Sequence, residues 1–122
     1  MNIDLAKKQK KRNIPQFNDK IDFIRELILS STDIEIIQKI YLFGSYAYGK
    51  PNKNSDIDLC VIIGDDYQRI KIANDIRRRL YNNNIIPVDL LVYNKSEFEL
   101  LSKRRGIIKT ITEKGKLLYG IQ

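Results

Sequence analysis

The sequence predicts a small mixed α/β (α+β) domain with one β-sheet and flanking helices. Its 122 residues are the length of one ordinary domain. The chain is 43% hydrophobic and 30% charged, so it can bury a core and keep a charged surface. Short β-rich apolar runs alternate with segments of helical periodicity in the order α-β-(α)-β-α-β-α, with a trailing strand. This order is typical of one sheet covered by helices.

The N-terminal part divides into a leader and the start of the domain. We expect residues 1–16 to form a flexible basic segment and residues 17–122 to form a single domain. Residues 7–12 carry five positive charges, which suit a solvated tail or an arm that binds phosphate or a partner. Asn18 is predicted to cap a helix that runs to about Ser30. Its apolar face would consist of Ile21, Ile24, Leu27 and Ile28. The capping-box pattern of residues 32–35 predicts one short turn.

Four runs rich in β-forming residues predict the strands of the sheet. They are residues 40–43, 56–63, 86–93 and 116–119. Gly44 and Ser45 end the first strand and begin a turn or a short helix. Residues 50–55 are polar and predict a loop that leads into the second strand.

Two longer helices are predicted between these strands. Asp65 or Asp66 is expected to cap a helix that reaches about Tyr81, and three asparagines, residues 82–84, would end it. The apolar face of this helix is predicted to be Ile70, Ala73, Ile76 and Leu80, and the outer face Arg69, Lys71, Arg77, Arg78 and Arg79. Ser96 opens a capping-box pattern for the last helical segment, which Gly106 is expected to interrupt.

Charge and composition limit the function classes. A formal net charge of +7 suits an anionic partner, such as a nucleotide, a nucleic acid or an acidic protein. The chain has no histidine, which excludes His-ligated zinc and Ser-His-Asp hydrolysis. The single cysteine, Cys60, lies in an apolar run and is predicted to be a core residue. No signal peptide or apolar span of ~20 residues is visible, so we expect a cytoplasmic protein without membrane attachment.

Three aspartates are the candidate catalytic and metal-ligating residues. On a strand, Asp56 and Asp58 would point to the same face, about 6.6–6.8 Å apart. Two such carboxylates repel each other unless a cation lies between them, and a divalent metal prefers oxygen ligands. Asp89 lies within an otherwise apolar run, where an unpaired carboxylate would be costly to bury. If the two strands are neighbours, three carboxylates converge, as a two-metal phosphoryl-transfer site requires. Solvated acids at Asp56 and Asp58, and an ion pair at Asp89, are the alternatives.

Gly44 and Ser45 are the candidate phosphate-binding residues. A glycine directly after a strand lets backbone N–H groups approach a phosphate without a Cβ in the way. The turn that follows aims its N–H groups at the same place, and the Ser45 hydroxyl is a further donor.

Residues 42–49 and 55–59 together resemble the signature of the DNA polymerase β-like nucleotidyltransferase superfamily. In that signature Gly-Ser is followed by ten residues and Asp-x-Asp, with a third acid on a later strand. This sequence matches it at Gly44, Ser45, Asp56, Asp58 and Asp89, and the resemblance covers roughly residues 36–93. The short chain is similar to the minimal nucleotidyltransferases, or MNT proteins, of that superfamily.

The resemblance implies a specific set of roles. Gly44 and Ser45 would bind the β- and γ-phosphates of ATP. Asp56 and Asp58 would ligate both of two Mg²⁺ ions, and Asp89 would ligate the catalytic ion and help activate the acceptor hydroxyl. Many relatives have an arginine shortly before the second glycine of the loop, where this chain has Tyr48. Lys50 and Lys53 are the nearby cations that could replace it.

The resemblance also implies a partner. Stand-alone MNT proteins are often paired with a HEPN-family RNase toxin, which they neutralise by transferring AMP to a tyrosine or by binding alone. The predicted function is therefore a metal-dependent protein adenylyltransferase that acts as an antitoxin. The alternatives are a non-catalytic module that masks its partner and a transferase that acts on RNA or a small molecule. Arg77, Arg78 and Arg79 would suit RNA phosphates, although a solvated helix surface is the simpler interpretation of that cluster.

Overall fold

The computed structural model describes residues 12–13, 18–85 and 87–121 of the chain. Within this part, the strands are β1 (Arg12–Asn13), β2 (Ile37–Phe43), β3 (Ile57–Ile63), β4 (Val88–Asn94) and β5 (Lys116–Ile121). The helices are α1 (Asp19–Leu29), α2 (Ser45–Tyr48), α3 (Arg69–Asn82), α4 (Lys95–Ser102) and α5 (Ile107–Lys114). The predicted order of elements and the mixed α/β class are confirmed.

The strands form one mixed sheet in the order β1-β5-β2-β3-β4. β2 pairs antiparallel with β3 and with β5, and β3 pairs parallel with β4. A parallel pair needs a crossover connection, and α3 provides it. As a result, β3 lies inside the sheet and β4 lies at its edge.

Both faces of the sheet are covered, and β3 contributes alternate side chains to each face. Leu59, Val61 and Ile63 belong to the larger core cluster, which also contains the buried faces of α1 and α3. Cys60 and Ile62 belong to a second cluster with residues of α4 and α5. Cys60 is fully buried, as predicted, and burial raises the pKa of its thiol to about 12. It therefore behaves as a small apolar core residue.

The first helix agrees closely with the sequence. The side chain of Asn18 accepts a hydrogen bond of 2.8 Å from the backbone N–H of Ile21 and so caps α1. The four predicted apolar positions are all buried, namely Ile21, Ile24, Leu27 and Ile28. The short turn predicted after it is also present, closed by a 3.0 Å bond from Ile36 N–H to the Asp33 carbonyl.

α3 forms as predicted, and Ala73, Ile76 and Leu80 of its predicted apolar face are buried. Its predicted start and the burial of Ile70 were wrong. The N-cap is Gln68, and it makes no side-chain capping bond. Ile70 is 69% exposed, and Ile72 lies in the core in its place. Ile72, Ile76 and Leu80 are spaced four residues apart, so they form one continuous row against the sheet. Asn83 and Asn84 follow the helix, and Asn84 has a positive φ of 61°.

Asp65 has a different structural role from the predicted one. It accepts hydrogen bonds from the backbone N–H and the hydroxyl of Ser96, and so joins the loop after β3 to the first turn of α4. The prediction that Ser96 itself caps α4 was therefore wrong, since the N-cap is Asn94. Gly106, with a φ of 143°, separates α4 from α5 as expected.

The remaining differences lie at element boundaries. β2 begins three residues before the predicted start, β5 extends to Ile121, and β3 begins at Ile57, so Asp56 precedes the strand. Residue 86 and most of the predicted leader lie outside the described residues. Two leader residues, Arg12 and Asn13, pair with Ile121 and Gly120. None of the described helices combines the length and the apolar character that a bilayer crossing demands.

Replacing Asn18 with alanine is expected to lower the stability of the domain. Loss of the capping bond to Ile21 should cost about 1 kcal/mol of unfolding free energy. Asn74→Ala is the matched control, because Asn74 is exposed in the middle of α3 and alanine is the better helix former there. Urea denaturation followed by circular dichroism measures both variants. Equal midpoints would contradict the capping role.

Candidate active site

Two carboxylates meet where β3 and β4 run side by side. Asp58 and Asp89 are paired residues in the parallel register, so they lie at the same level of the sheet, about 4.8 Å apart between backbones. Their carboxyl groups are within hydrogen-bonding reach of each other. The two strands that carry these aspartates are therefore neighbours in the sheet, as expected from the sequence.

The proximity of these acids changes the chemistry of Asp58. Partial burial raises the pKa of the Asp58 carboxyl, and the charge of Asp89, a hydrogen bond with Asp89 and the charge of Asp56 raise it further. All four causes disfavour the ionised form. A bound cation would remove the repulsion, so the site has the donor chemistry that suits a hard divalent metal.

Asp56 and Asp89 differ from the sequence-based picture. Asp89 is exposed at the edge of the sheet, so the expectation that it is buried in an apolar strand was wrong. No lysine or arginine among the described residues forms an ion pair with it. Asp56 is exposed just before β3 and acts on Asp58 through its charge. In the part of the chain that is described, no three side chains of the Asp, Glu, His and Cys types form a preassembled metal cluster. The structure brings Asp58 and Asp89 together and leaves Asp56 beside them.

Gly44 lies directly against Asp58. Its φ is +70°, which L-residues with a Cβ rarely adopt. A Cβ added there would lie 2.9 Å from Cγ of Asp58 and closer still to its Oδ2. The contact arises because Phe43, the preceding residue, pairs with Asp58 across the antiparallel ladder. No local sequence pattern predicts this contact, because it depends on the pairing of two strands that are 14 residues apart in the chain.

The turn after Gly44 is compact. The Gly44 carbonyl accepts 3.0 Å hydrogen bonds from the N–H groups of Ala47 and Tyr48, which close the single turn of α2. The N–H groups of Ser45 and Tyr46 precede these bonds, so they are free of the helical ladder. A Cβ on Gly49 would lie 2.9 Å from Cα of Ser45, so the second glycine lets the loop fold back on itself.

These features agree with the family to which the chain belongs. The model of the Polymerase beta, Nucleotidyltransferase family matches residues 26–122, and this chain is a member of that family.

Relatives of known function are described more narrowly than the family as a whole. The protein adenylyltransferase MntA of Shewanella oneidensis is 32% identical over 90 residues, which make up 74% of this chain. The match spans only 59% of MntA. A crystal structure of a toxin–antitoxin with AMP-PNP is similar at a TM-score of 0.58 and 27% identity, over 86% of this chain and 76% of that one. A mutant of the toxin–antitoxin MntA–HpeT is similar at a TM-score of 0.56 and 25% identity, over 83% and 74% of the two chains.

The substitution Gly44→Ala should weaken nucleotide binding by more than the strain of a positive φ alone would. The added methyl group would displace the Asp58 carboxylate in addition to straining a positive φ. Gly106→Ala is the matched control, because Gly106 also has a positive φ but has no atom within 4 Å of the added Cβ. Calorimetric titration with ATP and Mg²⁺ should show loss of binding for Gly44→Ala only. Equal losses in both variants would contradict the steric role.

The substitution Asp58→Asn should stabilise the metal-free protein at neutral pH. The folded-state pKa of Asp58 is raised, so its ionisation costs stability as pH rises through that pKa. We expect a melting temperature roughly 2 °C above wild type near pH 7 in EDTA, and no difference below about pH 4. The gain is small because Asp58 is partly solvated.

Asp65→Asn is the control of opposite sign. The hydrogen bonds from Ser96 lower the pKa of Asp65, so the ionised form contributes stability that is lost as pH falls through the folded-state pKa. This variant should be less stable than wild type near neutral pH and converge with it in acid. Thermal melts across the pH range separate the two cases. A lower melting temperature for Asp58→Asn at neutral pH would contradict the assigned repulsion.

Proposed function

We propose that this protein transfers AMP from ATP to a hydroxyl of a partner protein, namely a tyrosine of a HEPN-family toxin, and thereby acts as an antitoxin. The observation that carries the proposal is the Asp58–Asp89 pair, held against Gly44 at the start of a tight turn. Membership of the nucleotidyltransferase family supports the reaction class. The relatives named as a protein adenylyltransferase and as toxin–antitoxins support the acceptor and its biological role.

The site residues have distinct roles in this proposal. Asp58 and Asp89 would hold divalent cations, with Asp56 supplying a further oxygen ligand. Bound Mg²⁺ would neutralise the phosphates and favour ionisation of the acceptor hydroxyl. Ser45 and the N–H groups around it would bind the β- and γ-phosphates, as glycine-led turns do in other phosphate sites.

The transfer is a single in-line displacement. The acceptor oxygen forms a bond to the α-phosphorus of ATP while the bond from that phosphorus to the bridging oxygen of the β-phosphate breaks. Pyrophosphate leaves with the bonding electron pair, and the hydroxyl proton passes to the Asp89 carboxylate and then to water. The protein contributes positioning and charge stabilisation, so the reaction needs no histidine or thiol.

A non-catalytic antitoxin that masks its partner is the second candidate. The position of Asp56 outside a closed three-carboxylate group favours it. Under this alternative, the site would bind nucleotide weakly or not at all, and the basic surface would carry the interaction with the partner.

The deciding experiment incubates the purified protein with ATP, Mg²⁺ and the product of the adjacent gene, and then weighs the intact partner by mass spectrometry. The proposal expects a gain of AMP units on tyrosine. The gain should fall roughly 100-fold or more with Asp58→Ala, because a metal ligand is lost. Asp66→Ala, an exposed acid outside the site, is the matched control and should retain activity. A stable complex without mass gain would establish the masking alternative.

A further inference from the structure

The outer edge of β4 presents backbone groups that no described strand pairs with. The N–H of Ile57 in β3 donates to the Pro87 carbonyl at 3.2 Å, so that carbonyl points into the sheet. The guanidinium of Arg77 donates to the Leu90 carbonyl at 3.3 Å from the other side. Because successive residues of a strand direct their N–H and C=O groups to opposite sides, Val88, Leu90 and Val92 offer theirs outward.

A cleft of about 270 Å³ lies along this edge, between β4 and α3. Its lining combines apolar and cationic side chains. They include Arg69, Ile70, Arg77, Leu90, Val92 and Tyr93. Ile70 is 69% exposed there, which is unusual for an isoleucine next to a core helix face. The lining reaches Leu90, the residue directly after Asp89, but the side chains of these two residues lie on opposite faces of the sheet. A strand paired with this edge would direct alternate side chains toward the cleft and toward the face that carries Asp89.

Two arginines give the cleft a positive charge that is only weakly neutralised. Arg69 lies 5.8 Å from the centre of the Tyr93 ring and forms a long, exposed ion pair of 3.9 Å with Glu97. Exposed pairs of this kind contribute little and exchange readily. Arg77 covers one outward carbonyl of β4, a common way to protect an edge strand, and an incoming strand can replace that contact with its own N–H.

We propose that an extended, acidic segment of the acceptor protein pairs with the outer edge of β4 and thereby brings its hydroxyl to Asp89. This proposal rests on the proposed function and names how the acceptor is recognised. Backbone hydrogen bonds between the added segment and Leu90 and Val92 would provide affinity, as in other cases of strand addition. Ile70 and Tyr93 would contact one apolar side chain of the segment. Acidic side chains of the segment would meet Arg69 and Arg77, which gives charge complementarity.

The first test measures amide hydrogen exchange of the full chain, alone and with the adjacent-gene product. Exchange at the outward amides of Leu90 and Val92 should slow at least about tenfold in the complex. The amide of Leu91 is the internal control, because it already points toward β3 and should change little. A stable complex in which Leu90 and Val92 exchange as in the free protein would overturn the proposal.

The second test reverses one charge at the cleft. Arg77→Glu should raise the KM for the acceptor protein about tenfold with little change in kcat, and leave ATP affinity unchanged. Arg79→Glu is the matched control, since it makes the same charge change on the same helix but its guanidinium reaches Ser30, the C-cap of α1. Equal effects of the two variants would overturn the proposal.

The two tests also separate this inference from the proposed function. Wild-type transfer of AMP with no difference between Arg77→Glu and Arg79→Glu retains the enzyme and rejects the docking edge. Slowed exchange at Leu90 and Val92 without any AMP transfer retains the docking edge and rejects the enzyme.

Discussion

The close approach of two like charges, Asp58 and Asp89, is the constraint on which the site depends. The parallel register of β3 and β4 places them at the same level, and their repulsion opposes that register. The packing of the rest of the fold stabilises this register against the repulsion. β3 is buried on both faces by apolar side chains, and α3 packs its row of isoleucine and leucine residues over the β3–β4 pair. A slip by one residue would turn every core side chain to the wrong face, so the core fixes the register and holds the acids together.

Asp58 is also the point where the two kinds of strand pairing meet. Its antiparallel neighbour is Phe43, which leads into Gly44, and its parallel neighbour is Asp89. The turn that begins at Gly44 and the acidic pair are therefore both in contact with the same residue of the central strand, Asp58. This arrangement explains why glycine is needed at position 44, since any larger residue would occupy the space of the Asp58 carboxylate.

At the carboxyl ends of the parallel pair β3–β4, polar side chains hold the neighbouring loops in place. The amide of Asn94, at the end of β4, donates to the carbonyls of Gly64 and Tyr67, at 2.9 Å each. The contact of Asp65 with Ser96 reinforces the same region. The Asp58–Asp89 pair is therefore at the amino ends of β3 and β4, and the polar cross-links that hold their loops are at the carboxyl ends.

Much of this molecule is determined locally and can be obtained from the sequence. The order of elements, the cap at Asn18, the interruption at Gly106 and the candidate residues of the site follow from short-range patterns, because propensity and capping act over a few neighbouring residues.

The tertiary structure alone decided which of those residues meet and which are exposed. It exposed Asp89 and Ile70, moved Asp65 from a helix cap to a contact with Ser96, and set Gly44 against Asp58. Each of these outcomes depends on strand pairing or helix packing between residues distant in the chain. Those interactions are chosen by the burial of the whole core, which no local pattern of residues contains.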